Sequence, residues 1–265
     1  MSRLAAIDVT VAFGHRRRRV VAVDGVDVAV ARGETLGIVG ESGSGKSTLA
    51  RALAGLVPPA AGRVELDGQP FGRRRGRDAL RRIQLVFQDP AASLSPTLSV
   101  EQLLGDALAA AGVARSARPG RVGELLDAVG LAAVRRQARP RELSGGQRQR
   151  VALARALGSE PDFLICDEVT SALDVSARGA MLNLLGEVQR ERGFGMVFIT
   201  HDIAAVRHIS RRIAVMHLGA VVEQGDARAV VAAPQHPYTA ALIAAVPRLA
   251  PAPSAPAVPS QSPAT

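Results

Sequence analysis

Cysteine occurs once in these 265 residues, at Cys166, which excludes an internal disulfide and any cysteine-rich zinc or iron–sulfur site. A lone cysteine fits a reducing compartment and packs as a small hydrophobe. Tryptophan is absent, tyrosine occurs once, and aromatics are 3% of the chain. That scarcity argues against a base-stacking nucleic-acid platform, which needs rings between its cations. No apolar run reaches the roughly 18 residues that a membrane-spanning helix requires. The opening MSRLAAIDVTVAFG alternates and carries Asp8, unlike a secretory signal. A cytoplasmic location is expected. Lysine is nearly missing too: of 33 Lys and Arg residues, Lys46 is the only lysine.

What is present is a globular composition, 47% hydrophobic and 22% charged, in a length that suits one large domain or a domain with a sub-lobe. The net charge of +9 comes from arginine, including HRRRR at 15–19 and RRRGR at 73–77. Solvated arginine is the expectation for these runs, with lipid headgroup contact ahead of nucleic acid. β-like and α-like segments alternate, which predicts a mainly parallel sheet covered by helices. Strands are expected at 5–13, 20–30, 35–39, 63–67, 162–167, 195–200 and 211–216, with another ahead of Gln88, and the first two are expected to be antiparallel with one exposed face. A helix, KSTLARALAGL, follows the third and is expected to end at Pro58 and Pro59. Residues 96–158 read as helical throughout, and the Pro/Ala/Ser-rich tail at 250–265 reads as disordered.

Three stretches carry chemistry. Gly40-Glu41-Ser42-Gly43-Ser44-Gly45-Lys46-Ser47, followed by Thr48, fits G-x-x-x-x-G-K-[ST] between a strand and a helix. Its glycines let backbone N–H groups converge on phosphate oxygens, Lys46 is expected to reach the β and γ phosphates, and Ser47 to ligate Mg²⁺. A compact ammonium suits a loop wrapped around phosphates where a planar guanidinium does not. DFLICDE at 162–168 is an apolar strand ending in two carboxylates. Alone these could serve as a helix cap. Beside a phosphate loop they become Asp167 for Mg²⁺ and Glu168 for the attacking water. LSGGQRQRVALARAL at 143–157 places Ser144, Gly145, Gly146 and Gln147 at a helix start, a second anion-suited set of donors or an ordinary cap.

LSGGQ, the phosphate loop, VFQDP, CDE, SALD and ITHD, in this order over about residues 4–246, resemble the ATP-binding subunit of ABC transporters. The resemblance implies an α/β P-loop NTPase (RecA-like) core with an antiparallel β subdomain and an inserted all-helical subdomain. Residues 1–95 and 159–234 would form the core, 96–158 the helical subdomain and 235–249 a C-terminal element. It also implies that Phe13 stacks on adenine, Gln88 contacts Mg²⁺ and the attacking water, Ser144 to Gln147 bind the γ phosphate held by an opposite subunit, Asp174 links the two sites and His201 contacts the γ phosphate. His15, His208 and His217 keep structural readings. HPYT at 236–239, with VFQDPAASLSP and DEVTSALDVS, resembles the oligopeptide, dipeptide and nickel importer group, though the cysteine-bearing extension of many members is not expected here. The implied function is ATP hydrolysis driving import of peptides or nickel and metal chelates in a bacterium. Its partners would be a second ATP-binding subunit, two permease subunits at whose cytoplasmic face the chain sits, and indirectly an extracytoplasmic binding protein. No nucleic acid partner is expected; the alternative is a soluble ABC-type ATPase acting on nucleic acid or ribosomes.

Overall fold

The computed structural model describes residues 2–14, 19–71, 77–90 and 93–245. Most of both arginine runs, His15 and the tail fall outside them. The chain begins with β1 (Arg3–Phe13) and β2 (Val20–Ala31), paired antiparallel with Leu4 opposite Val30 and Phe13 opposite Val20. In β2, Val23, Val26, Val28 and Val30 are buried while neighbours face water, the alternation expected of a sheet with one covered face. Then comes β3 (Thr35–Val39), buried at every position, and α1 (Lys46–Leu53).

Prolines do not end α1. The helix stops at Leu53, five residues before Pro58; just beyond it Gly55 takes φ +63, Leu56 N–H donates to Arg51 O and Gly55 N–H to Ala52 O. This is a Schellman closure, set by glycine's tolerance of the left-handed region. β4 (Ala61–Leu66) returns to pair with β1, and the short β5 (Gln69–Pro70) completes a four-stranded sheet ordered β2-β1-β4-β5.

After α2 (Arg77–Arg82) and β6 (Ile83–Val86), the segment expected to be helical contains α3 (Val100–Ala110), α4 (Arg118–Ala128) and α5 (Gly145–Leu157), with no strand. Leu104, Leu108, Leu125, Leu126, Val151 and Leu157 close its interior. The chain returns through β7 (Phe163–Asp167), α6 (Val175–Arg192), β8 (Gly195–Thr200), α7 (Ile203–Ile209) and β9 (Arg212–His217). β10 (Ala220–Asp226), α8 (Ala227–Ala232) and α9 (Pro237–Ala244) follow. β10 and α7 were not expected; β10 is half-buried throughout its first four residues and carries no clean period.

The second sheet is ordered β10-β9-β3-β8-β7-β6, parallel except for β10. Its inner strands β3, β8 and β7 are covered on both faces: Leu36, Ile38, Ile165 and Ile199 pack with α1 and the first sheet, while Leu164, Cys166 and Phe198 pack with the helices. Each such side chain contributes about 1.5–3 kcal/mol on burial. The parallel alignment also lines up Val39, Val86, Asp167, Thr200 and His217, the C-terminal residues of five strands, along one edge. In open α/β sheets that edge is where ligands sit.

Candidate functional site

At this edge β3 turns through Gly40 to Gly45 into α1. Cβ atoms added at Gly40 or Gly45 would lie 2.2 Å from Met216 O and Ala22 O respectively, and Gly45 has φ +101. No other residue type fits either position. The tight turn brings Lys46 inward, 3% exposed, where its Nζ donates to Gly40 O at 2.8 Å and Glu41 O at 2.6 Å, with Ser44 Oγ at 3.4 Å. Burial pushes the Lys46 amine below its usual range, and the charges of Glu168, Asp167 and Glu41 pull the other way.

Ser47, one residue into α1, donates its hydroxyl to Asp167 Oδ1 at 2.9 Å. Asp167 ends β7 and is 5% exposed. Burial raises its carboxyl above the ordinary carboxylate value, Glu168 adds to the rise, and Ser47, Arg51 and Lys46 oppose it. A hydroxyl and a desolvated carboxylate oxygen are hard donors that fit a Mg²⁺ ion keeping other ligands as water and phosphate. Among the described residues no cluster of three or more His, Cys, Asp or Glu could hold a metal alone, so such an ion would depend on those outside ligands.

Glu168 follows in a left-handed conformation, φ +50, which a non-glycine residue adopts only where surroundings hold it. Its N–H donates to Ile199 O at 2.9 Å on β8, and its carboxylate lies 3.7 Å from His201 Nδ1. The His201 side chain is 58% exposed, so the pair faces outward from the edge. Gln88, beyond β6, donates from Nε2 to Ser171 Oγ at 3.3 Å, and the Ser171 hydroxyl donates to Glu168 O at 2.9 Å. Sequence reasoning missed Ser171; only the folded turn shows that it joins Gln88 to Glu168.

Not every expected residue reaches this cluster. Ser42 and Gly43 are exposed at the loop's crest, and Thr48 is half-buried in α1. Phe13 stands at the end of β1 with its ring 46% exposed. Ser144 caps α5, accepting from Gln147 N–H at 3.2 Å while Gln147 Oε1 accepts from Ser144 N–H at 2.9 Å. This capping box leaves the first-turn N–H groups of Gly145 and Gly146 without helical carbonyls. Gly145 shares a cleft of about 650 Å³ with Gln88, Asp89, Leu173 and the buried Gln149, whose Nε2 donates to Phe87 O at 3.4 Å. Asp174 caps α6 through Ala177 N–H and Ser176 Oγ, both at 2.8 Å, which hold its carboxyl below the usual range. Cys166 is wholly enclosed, and burial pushes its thiol up, as suits a core residue.

A profile described as ABC transporter matches residues 23–171, and one described as oligopeptide/dipeptide transporter, C-terminal region, matches 222–265. The chain belongs to the ABC transporter family of ATPases, with the α/β P-loop fold that family carries. Within it, the C-terminal region groups the chain with the oligopeptide and dipeptide transport subunits. A Brucella abortus protein named for peptide import ATP binding is 46% identical over 89% of this chain and 73% of its own length. The oligopeptide transport ATP-binding protein OppD of Mycobacterium tuberculosis is 45% identical over 87% of this chain, which spans only 38% of that relative. Among solved structures, cbiO1 of Clostridium perfringens, part of an ABC transporter complex, superposes with TM-score 0.78 at 31% identity over 87% of this chain and 90% of its own. A dimeric ATP-binding cassette in a post-hydrolysis state with ADP and phosphate gives 0.76 at 30% identity, over 85% and 99%.

Proposed function

We propose that this chain is the ATP-hydrolysing subunit of a bacterial importer for peptides or for nickel and metal chelates, working at the cytoplasmic face of separate permease subunits. The observation that carries the ATPase chemistry is the convergence of Lys46, the Ser47–Asp167 pair and the Glu168–His201 pair on one sheet edge. The relatives' names favour peptide as cargo and lend nothing to a ribosome- or nucleic-acid-directed role.

In this reading the backbone N–H groups of residues 43–48 receive the phosphates, Lys46 exchanges loop carbonyls for β and γ oxygens, and Phe13 stacks on adenine, worth about 1–3 kcal/mol. Ser47, Gln88 and Asp167 would hold Mg²⁺, which neutralises charge on the phosphates. Glu168 takes a proton from water as its oxygen bonds to the γ phosphorus. The bond to the β–γ bridging oxygen breaks and its electron pair leaves with ADP. His201 sits beside that carboxylate and senses the γ phosphate. Residues 1–95 and 159–234 act as the core, 96–158 as a lobe presenting Ser144, Gly145, Gly146 and Gln147 to a partner's nucleotide, and 235–249 as a C-terminal element. Asp174 lies at the seam.

Glu168→Gln tests the central assignment. It removes the base and keeps the shape, so ATP binding should persist, hydrolysis should fall at least about 100-fold, and ATP should drive the variant into a dimer seen by size-exclusion chromatography. Turnover near wild type would refute the base. Pull-downs that return ribosomes or RNA and no membrane protein would overturn the importer reading.

A further inference from the structure

The peptide plane between Gly40 and Glu41 is held at both ends. Its carbonyl, Gly40 O, accepts from Lys46 Nζ at 2.8 Å, and its N–H, on Glu41, donates to Tyr238 Oη at 3.0 Å. In a trans peptide these groups point in opposite directions, so the lysine pulls from inside the loop and the tyrosine from outside. Tyr238 is the chain's only tyrosine and lies in α9, almost 200 residues downstream.

The tyrosine is itself fixed. Its ring stacks on His217 with centroids 3.8 Å apart and planes 26° off parallel. His217 ends β9, and the turn after it carries Gly219, whose N–H donates to Ser44 O at 3.1 Å and whose carbonyl accepts from Asp24 N–H at 2.9 Å. The start of α9 is tethered to β10: the Glu223 carboxylate accepts from Gln235 and His236 N–H at 2.9 and 3.0 Å, and His236 Nδ1 caps Tyr238 N–H at 3.2 Å. Two independent contacts, at Glu41 and Ser44, thus brace the loop from the C-terminal third of the chain.

We infer that Tyr238 is a positioning residue for the phosphate loop: its hydroxyl fixes the Gly40–Glu41 peptide, and through Gly40 O it fixes where the Lys46 ammonium stands. The C-terminal element is thereby a brace on the nucleotide site as well as a packed helix. Without the Tyr238 acceptor the peptide is held only by Lys46, which releases it when ATP binds, so ordering the loop around the phosphates costs more. The functional half of this inference rests on the loop holding ATP phosphates, as proposed above.

Tyr238→Phe keeps the ring on His217 and removes only the acceptor. Two readouts separate the possibilities. Amide hydrogen exchange without nucleotide, followed on peptides covering residues 38–46, should be faster in Tyr238→Phe than in wild type. KM for ATP should rise about fivefold, the effect of one net hydrogen bond, while kcat stays within about twofold; a general loss of folding would lower kcat with the active fraction and leave KM alone. Unchanged exchange in the loop overturns the brace. Faster exchange with unchanged KM overturns its role in positioning. Absence of ATPase activity in wild type would instead refute the functional reading, and the exchange arm would still test the contact.

Discussion

At the residue scale, Lys46 answers for the chain's near-total preference for arginine. Its three-donor ammonium meets Gly40 O, Glu41 O and Ser44 Oγ inside a loop with no room for a methyl group at Gly40 or Gly45. A guanidinium carries a wide planar fork that cannot enter so narrow a cradle with its donors aimed inward. Lys46→Arg therefore conserves charge and loses geometry. Hydrolysis should fall at least about 100-fold, a loss of some 2.7 kcal/mol in transition-state stabilisation, while circular dichroism stays that of the wild type; near-normal turnover would remove the explanation. The motif spacing was enough to find this position. It did not show that the lysine rests on the loop's own carbonyls, because that depends on how the turn closes.

At the element scale, Arg82 at the end of α2 stitches the two sheets. It pairs with Asp67, in the turn after β4, and its Nε donates to Asp162 Oδ2 at 2.5 Å just before β7. Arg32 also reaches Asp162, at 2.9 Å, and Ser2 Oγ donates to Asp67 at 2.6 Å. Partial burial raises the Asp67 carboxyl, but Ser2, Arg82 and the Arg3 N–H outweigh it and hold it at about 2. A carboxyl depressed on folding contributes stability above its unfolded value near 4 and loses it as pH falls through the folded value. Arg82→Ala should cost about 1 kcal/mol at neutral pH for this partly exposed network, read as a Tm lower by about 2–4 °C. The gap between variant and wild type should narrow as pH drops from about 4 toward 2; a gap that does not change with pH would show that Asp67 is not its partner in stability. Sequence reading treated the arginines as solvated charge. Arg82 departs from that because strand order brings Asp67 and Asp162, distant in sequence, to the same corner.

At the scale of the whole molecule, no hydrogen bond among the described residues joins the candidate signature to the chain's own phosphate loop. The hydrogen bonds of Ser144 and Gln147 close on each other at the head of α5, while Lys46, Ser47, Asp167 and Glu168 gather at the edge of the parallel sheet. A second subunit completes the site in the proposed arrangement. Ser144→Arg should then leave ATP affinity of the isolated chain within about twofold of wild type, since its own loop is intact, yet reduce hydrolysis about 100-fold by blocking the partner's γ phosphate. Equal loss of both, by nucleotide titration and phosphate release, would mean that the signature serves its own loop. Meanwhile Gln149 on α5 reaches Phe87 O, and Gln88 beside it reaches Glu168 through Ser171. Hydrogen bonds on the adjacent residues Phe87 and Gln88 therefore connect the helical lobe to the backbone of Glu168.

In the sequence by itself, local spacing and periodicity were enough to find the phosphate loop, the paired acids at the end of DFLICDE and the helical stretch at 96–158, and six motifs in order carried the resemblance to the family. The same reading misjudged the end of α1, where proline was read as the stop and the left-handed Gly55 is. It also passed over β10, whose half-buried strand has no alternation to read. The tertiary structure alone decided that Ser171 lies between Gln88 and Glu168, that Arg82 bridges two sheets, and that Tyr238 holds the Gly40–Glu41 peptide. Each joins residues far apart in the chain, and such contacts follow from strand order and register, which local pattern does not encode.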